Sequence, residues 1–362
     1  MPINLNHFNT LLHEAANDPC NVRTPENWRQ LLINTRERAN LVTFRNFFRR
    51  RNAARLACHM NFYAPLGAFK ANGAFTVSVR LSGLHVGNIS GNINQPNRPK
   101  IFTPKLPKQE VLKVICRNAW DSKNTSESWD SAVVFRYLSA LSTARNNGNL
   151  RDIQREHWVE SELLLLVNNR QAIRNNVNQH RGPLAGMSHI GLGASELNKL
   201  PFQMSVPIIF NSDNPALLIN YPKGYPKPAR SFSGGHIDAL AYKRGEIQIW
   251  EVKDPSIQGN HNIDEDAWQA IYQAYAYTVY LAAFGGDPLR RLTPIQTPNV
   301  AFRAVAVVPN NPILIESLKE NCHRIQEYEN AQHRNIKLGI LSFSGEAFLD
   351  NREIRDLNWE AI

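Results

Sequence analysis

The segment Gly234–Pro255, GGHIDALAYKRGEIQIWEVKDP, has two short runs of apolar residues with a turn sequence between them. Such runs on either side of a Gly-containing turn predict a β-hairpin. Its strands are predicted at His236–Tyr242 and Gln248–Lys253, joined across Lys243–Glu246. Because charged residues stand at the ends of the apolar runs, this segment predicts two strands of a central sheet with a polar site beside them.

The elements around this hairpin alternate in type. Their periodicity predicts, in chain order, a helix at Glu156–Asn168, a strand at Gln203–Phe210, the hairpin, a helix at Ala267–Phe284, a strand at Val300–Val308, a helix at Ile313–Glu329 and a strand at Ile336–Phe343. We interpret the elements as far as Val300–Val308 as an αβββαβ order, which a further helix and strand extend and which is typical of an α/β (α+β) fold with a mixed central sheet.

Three charged side chains of the hairpin can meet. Glu251 and Lys253 are two residues apart on one strand, so their side chains share a face while Val252 points to the other. Asp238, on the neighbouring strand, can converge with Glu251. Two carboxylates can share a hard cation that keeps several waters and binds substrate phosphate. A lysine beside them can orient or deprotonate an attacking water and stabilise negative charge.

Asp238 followed by Glu251-Val252-Lys253 resembles the active-site motif of the PD-(D/E)XK nuclease superfamily. Ile237 stands where the family consensus has Pro, and that Pro is often absent in such nucleases. The resemblance covers residues 155–345 and implies a restriction-endonuclease-like αβββαβ core. It also implies a Mg²⁺-dependent deoxyribonuclease, in which Asp238 and Glu251 bind the metal, Lys253 is catalytic, and Mn²⁺ can replace Mg²⁺.

The same resemblance suggests further site residues. Gln273-x-x-x-Tyr277 looks like the QxxxY element that RecB-like members carry on the helix after E-x-K, which makes Gln273 a candidate catalytic residue. Aromatic residues at helical spacing are equally typical of a packed core. The superfamily often adds a glutamate from the helix before the sheet, and either Glu162 or Glu196 could supply it as a metal ligand.

Positive charge is concentrated in the first part of the chain. The net charge is +10, but residues 1–150 contain 20 Lys and Arg against 8 Asp and Glu, whereas residues 151–362 contain 21 against 23. Between Arg38 and Gln109 there are 12 basic residues and no acidic one. Because Lys and Arg provide most of the non-specific affinity for phosphate backbones, this pattern predicts binding to DNA, with RNA as an alternative. A solvated basic surface would give the same composition.

A break at Asn146–Asn149 divides the chain into two predicted domains. Residues 1–150 are interpreted as a basic α+β recognition domain and residues 151–362 as the nuclease domain. Residues 61–107 are rich in Gly, Asn and Pro and contain alternating apolar residues, which predicts strands joined by turns, with a Pro-rich connector at Gln95–Pro107.

A helical segment at Thr24–Ala57 ends in a group of basic residues. If its last stretch is helical, the i, i+4 spacing of several of them lines up cations on shared faces. We therefore expect five arginines to contact nucleic acid: Arg45, Arg49, Arg50, Arg51 and Arg55.

The sequence also argues against other classes of protein. It has no run of about 18 apolar residues that could cross a bilayer, and its N-terminus has no secretory signal, so we expect a cytoplasmic protein without a membrane partner. The four cysteines are far apart, and the eleven histidines include no HExxH helix, which argues against a zinc enzyme.

These features favour a restriction-type DNA endonuclease whose first half binds DNA while the second half cleaves it. Cleavage of both strands would imply a symmetric homodimer. A RecB-like exonuclease, a resolvase and a nuclease effector remain as alternatives with the same fold. From a different class, a catalytically silent nucleic-acid-binding protein could keep this fold.

Overall fold

The structure is a computed structural model that describes residues 5–6, 9–10, 25–42, 60–108, 110–149, 155–167, 182–192, 200–201, 204–206, 209–210, 217–218, 235–257, 263–285, 289–290, 293, 300–332, 334–351 and 354–362. The five arginines from Arg45 to Arg55 and the candidate ligand Glu196 lie outside these residues.

An antiparallel sheet organises the first half. Its five strands, in spatial and chain order, are β1 (Met60–Tyr63), β2 (Ala74–Leu81), β3 (Leu84–Asn92), β4 (Ile101–Pro104) and β5 (Glu127–Ser128). The helices of this half are α1 (Pro25–Asn40), α2 (Glu110–Ala119) and α3 (Ala132–Asn146). The prediction of a connector at Gln95–Pro107 is wrong, because β4 lies inside it and pairs with both β3 and β5.

Among its described residues, the second half has four α-helices of seven or more residues and several short strands besides its main sheet. The helices are α4 (Arg155–Val167), α5 (Ile263–Tyr280), α6 (Pro312–Ala331) and α7 (Gly345–Asn351). The strands are β6 (Ser188–His189), β7 (Gly191–Leu192), β8 (Leu200–Pro201), β9 (Met204–Val206), β10 (Ile209–Phe210), β11 (Leu217–Leu218), β12 (Gly235–Ile237), β13 (Ala239–Lys243), β14 (Glu246–Val252), β15 (Ala301–Pro309), β16 (Ile336–Phe343) and β17 (Asn358–Ala361).

Six of these strands form a mixed sheet in the order β17-β16-β15-β14-β13-β6. The neighbours β14, β15 and β16 are parallel, whereas β13, β6 and β17 each pair antiparallel. The parallel strands β15 and β16 are buried along most of their length, because α5 and α6 connect consecutive parallel strands and pack on the sheet. The prediction of an α/β fold with a mixed central sheet is confirmed.

Two details of the predicted strand order are wrong. The predicted strand Gln203–Phe210 is replaced by β9 and β10, which pair with β12 and β11 outside the six-stranded sheet. The short β6 takes the sheet position next to β13 instead. The segment of β9 and β10 was predicted to be extended, but its pairing partners, and the two-residue β6, could not be recognised because such short strands show too little alternation.

The apolar core runs through both halves. One continuous cluster of buried side chains extends from Trp28 in α1 to Ile354 near the C-terminus. Polar contacts cross between the halves as well: the Asn61 amide of β1 donates to the Ser161 hydroxyl of α4 at 2.7 Å. Within the described ranges, every helix is too short or too polar to traverse a lipid bilayer.

Candidate active site

The β13–β14 hairpin places two acids across from each other. Its turn, Arg244–Gly245, has φ of 48° and 85°, and positive φ at both positions is what a two-residue type I′ turn requires. The ladder ends with Ala239 paired to Trp250. Continuing this register by one residue puts Asp238 opposite Glu251, so a turn six residues away determines that the two carboxylates share one face of the sheet.

Asp238 lies in the interruption between β12 and β13. One of its carboxylate oxygens, Oδ2, accepts a hydrogen bond from the backbone N–H of Val252 at 2.8 Å. Burial raises the pKa of Asp238 well above its usual range, and the charges of Glu251, Glu160 and Glu156 raise it further. The carboxyl group therefore sits in a region of low dielectric and strongly negative potential.

Lys253 joins Glu251 to the following helix. Its ammonium Nζ donates to Glu251 Oε1 at 2.8 Å and to Gln273 Oε1 at 3.4 Å. The Gln273 amide in turn donates to the Tyr277 hydroxyl at 3.1 Å. Although burial lowers the pKa of Lys253, the charge and hydrogen bond of Glu251 raise it overall. The structure thus brings the E-x-K and Q-x-x-x-Y residues into one hydrogen-bonded chain.

Glu251 has one satisfied oxygen and one unsatisfied oxygen. Its side chain is 4% exposed, and Oε2 is buried without a hydrogen-bond partner among the residues that the structure describes. Burial raises the pKa of Glu251 to about 7, against the opposing effect of Lys253, while Glu156 and Glu160 add to the increase. An orphaned buried carboxylate oxygen is uncommon in folded proteins and needs an explanation.

Helix α4 contributes two acids that sequence reasoning missed. Glu156 and Glu160 are four residues apart, so they share a helix face, and their charges act on both Asp238 and Glu251. The expected candidate Glu162 instead forms an ion pair with Arg145 of α3, with 2.8 Å between Oε1 and Nη2. The signal that could have identified Glu156 and Glu160 is their i, i+4 spacing, which places like charges side by side on an apolar helix.

The first half of the chain also reaches this site. Tyr63, the last residue of β1, donates its hydroxyl to Glu160 Oε1 at 2.5 Å. Burial raises the pKa of Tyr63 well above its usual range, and the charges of Glu160 and Asp238 contribute. Arg80 of β2 lies with its guanidinium carbon 4.3 Å from the centre of the Tyr63 ring. No sequence pattern connects these residues to Asp238, which lies more than 150 positions further along the chain.

Comparison of the chain with known protein families, curated proteins and solved structures finds no match. The chemistry of the site must therefore be judged from its own residues.

The donor set can be tested against a divalent metal ion. In the described part of the chain, no group of three or more His, Cys, Asp or Glu side chains is arranged to hold one. Asp238 and Glu251 provide two carboxylates, which are hard oxygen ligands, and the buried Oε2 of Glu251 has no other partner described. Mg²⁺ commonly binds through one or two carboxylates and completes its shell with water and substrate phosphate. The residues fit that ion and do not form a closed, all-protein metal cage.

Proposed function

We propose that this protein hydrolyses phosphodiester bonds of nucleic acid with a divalent metal ion, at a site made of Asp238, Glu251 and Lys253. The observation that carries the proposal is the buried Oε2 of Glu251, which lies opposite Asp238 and has no hydrogen-bond partner among the described residues. Placing carboxylates together in low dielectric costs free energy, so such a site is typical of a cation-binding centre rather than of a structural contact.

Asp238 and Glu251 would hold Mg²⁺, with Mn²⁺ able to replace it. When bound, the ion supplies Lewis acidity towards the phosphoryl group and lowers the pKa of a coordinated water. Lys253 donates hydrogen bonds to phosphate oxygens and stabilises the negative charge that increases in the transition state. Asp238 keeps its orientation through the Val252 backbone N–H, so the carboxylate is preorganised before substrate arrives.

Gln273 acts as a positioning residue in this proposal. Its carbonyl oxygen accepts from the Lys253 ammonium, and its amide group is held by the Tyr277 hydroxyl. Since α5 packs on β14 and β15, the amide group is supported by the rigid part of the molecule. It therefore restricts the rotamers of Lys253, and correct placement of a catalytic group is worth orders of magnitude in rate.

The basic first half favours nucleic acid as the substrate. With a net charge of +12 within residues 1–150, it supplies the electrostatic attraction that phosphate backbones need. We propose DNA as the substrate and endonucleolytic, restriction-type cleavage as the activity, with a homodimer needed to cut both strands. Exonuclease, resolvase and effector activities, cleavage of RNA, and binding without cleavage are separated by the experiment below.

The test is cleavage of circular plasmid, linear DNA and RNA in Mg²⁺ and in Mn²⁺. We expect the wild type to cut the plasmid into discrete fragments, and Glu251→Gln and Lys253→Met to lower the rate at least about 100-fold. Glu316→Gln, which changes an exposed carboxylate on α6, is the matched control and should cut like the wild type. Cleavage of linear ends alone would replace the endonuclease with an exonuclease, and equal inertness of all four proteins would contradict a nuclease function.

A further inference from the structure

Arg80 belongs to the face of the N-terminal sheet that contacts α4. Its neighbours in β2, Val79 and Leu81, are fully buried in the apolar core, so the side chain of Arg80 points to the opposite face. In the β1–β2 ladder Arg80 is paired with Asn61, whose amide group is bonded to Ser161 of α4. The arginine therefore stands beside the helix that carries Glu156 and Glu160.

Two features of the backbone fix this position. The register between β2 and β3 shifts between Val79 and Arg80, because Val79 pairs with Gly87 and Arg80 with His85, so that β3 has an extra residue opposite this point and the local twist of the pair increases. The tip of the same hairpin is pressed onto α4, because a Cβ added to Gly83 would lie 2.7 Å from the backbone carbonyl of His157. The hairpin is thus anchored to α4 three residues away from Arg80.

Among the described residues, the guanidinium of Arg80 has a stacking partner but no hydrogen-bonding partner. It lies over the Tyr63 ring, and its Nε is buried without an acceptor among the described residues. Of the ion pairs found in these residues, none includes Arg80. Stacking on a ring occupies the face of a guanidinium and leaves the donors on its edge for a planar or tetrahedral anion. A half-buried cation with unused donors is costly unless it has a ligand.

Arg80 is connected through Tyr63 to the acidic residues of the candidate site. Beneath it, the Tyr63 hydroxyl binds Glu160, whose charge acts on Asp238. A phosphate that approaches Asp238 and Glu251 also meets Glu156 and Glu160, and Lys253 together with one divalent ion brings three positive charges against these four carboxylates. An anionic substrate there needs an additional cation from the protein.

We propose that Arg80 binds a phosphate of the nucleic-acid backbone at this site, so that the N-terminal sheet supplies part of the substrate-binding surface in cis. The inference rests on the proposed function in taking a phosphodiester as the ligand. The Tyr63 ring lies under the guanidinium, and the Tyr63 hydroxyl connects it to Glu160. Arg80 is one of the 12 basic residues of the acid-free span from Arg38 to Gln109, and it is connected through Tyr63 to Glu160.

The experiment measures binding and cleavage separately. Binding of a fluorescent DNA duplex is followed by anisotropy in EDTA over a series of salt concentrations, and cleavage of the same duplex is followed in Mg²⁺. The proteins are the full-length wild type, Arg80→Gln, Arg80→Lys and the control Arg98→Gln, which removes an exposed charge from the β3–β4 connection of the same sheet. Circular dichroism verifies folding, and Arg80→Lys, which keeps the stem and the charge, replaces Arg80→Gln if the latter does not fold.

We expect Arg80→Gln to raise the Kd about tenfold and to lower the slope of log K against log salt by about 1, as loss of one phosphate contact does. Arg80→Lys should also bind more weakly than the wild type, because a point charge cannot make a bidentate contact. Equal effects of Arg80→Gln and Arg98→Gln, or a wild-type Kd for both Arg80 variants, would overturn the inference. With either of these two results, cleavage of DNA by the wild type would still support the proposed nuclease function.

A wild type that binds DNA without cutting it refutes the nuclease function, while the same Kd comparison still decides the role of Arg80. A wild type that binds neither DNA nor RNA overturns both proposals.

Discussion

Asp238 shares a region of low dielectric with three other carboxylates, those of Glu251, Glu160 and Glu156. Burial is the largest cause of its raised pKa, and the neighbouring charges add to it. A carboxyl with a higher pKa in the folded state binds more protons when folded. The free energy of unfolding then falls as the pH rises from the ordinary pKa of aspartate through the raised value. Ionised Asp238 therefore destabilises the protein in the absence of a metal.

Replacing Asp238 with Asn removes this charge and keeps an oxygen that can accept the Val252 N–H. In EDTA at pH 8 we expect Asp238→Asn to unfold about 2 °C or more above the wild type, and the difference to disappear near pH 4, where the aspartate is protonated. Calorimetry at both pH values measures this, with Glu316→Gln as the control. Equal unfolding temperatures at pH 8 would show that the carboxylate is not destabilising.

Three of the site residues predicted from sequence are brought together by one short segment, whereas Gln273 was suggested by the resemblance of its motif. Asp238, Glu251 and Lys253 come from a single hairpin, so strand alternation and a two-residue turn suffice to place them. Glu160 and Arg80 were missed because their positions depend on how α4 and the N-terminal sheet pack. Local periodicity carries no information about such packing.

Helices and strands, too, were predicted well where their own sequence determines them and poorly where packing with distant segments does. Long periodic segments were predicted within a few residues, as α4, α6 and β16 show. Such segments bury enough apolar area to fix both their type and their position. The short strands β4 and β6 were missed because four and two residues in Pro- and Gly-containing sequence give no recognisable pattern, and only pairing with neighbouring strands makes them extended.

The β2–β3 and β13–β14 hairpins contain glycines at equivalent positions of their turns. Gly83 and Gly245 both stand in two-residue hairpin turns, with φ of 82° and 85°. A Cβ at Gly83 meets the backbone of His157, whereas a Cβ at Gly245 finds nothing within 4 Å. The two positions differ in surroundings and not in backbone conformation.

We therefore expect Gly245→Ala to lower the free energy of unfolding by about 1 kcal/mol through backbone strain alone. Gly83→Ala should lose about 1–3 kcal/mol more, because the β2–β3 hairpin must move away from α4. Urea denaturation of both variants measures the difference. Equal losses would mean that the hairpin tip does not press on α4.

At the scale of the whole molecule, α4 connects the two halves. It belongs by sequence to the second half and packs on β13 and β14, yet three consecutive side chains of α4 have partners from the first half. These pairs are Glu160 with Tyr63, Ser161 with Asn61, and Glu162 with Arg145. Arg145 also donates to Ser82 at the tip of the β2–β3 hairpin, so α3, α4 and that hairpin hold one another in place.

This arrangement decides what should happen when the chain is divided at the predicted boundary. A fragment of residues 151–362 leaves Glu162, which is 3% exposed in its ion pair, without its cation. Breaking a buried ion pair in this way costs about 3–5 kcal/mol, and each lost buried hydrogen bond costs about 1 kcal/mol more. A typical domain has only about 5–15 kcal/mol of stability. We expect the isolated fragment to be unfolded or to melt far below the intact chain.

Circular dichroism of the fragment, alone and mixed with residues 1–150, measures this expectation. The matched control is the full chain with a protease site inserted at 151–154 and cut after folding, in which every contact between the halves is kept. We expect the nicked protein to stay associated and to melt close to the intact chain, since only one peptide bond is lost. If the isolated fragment melted at the same temperature as the intact chain, residues 151–362 would be an independent domain, and the contacts of α4 with the first half would add nothing to its stability.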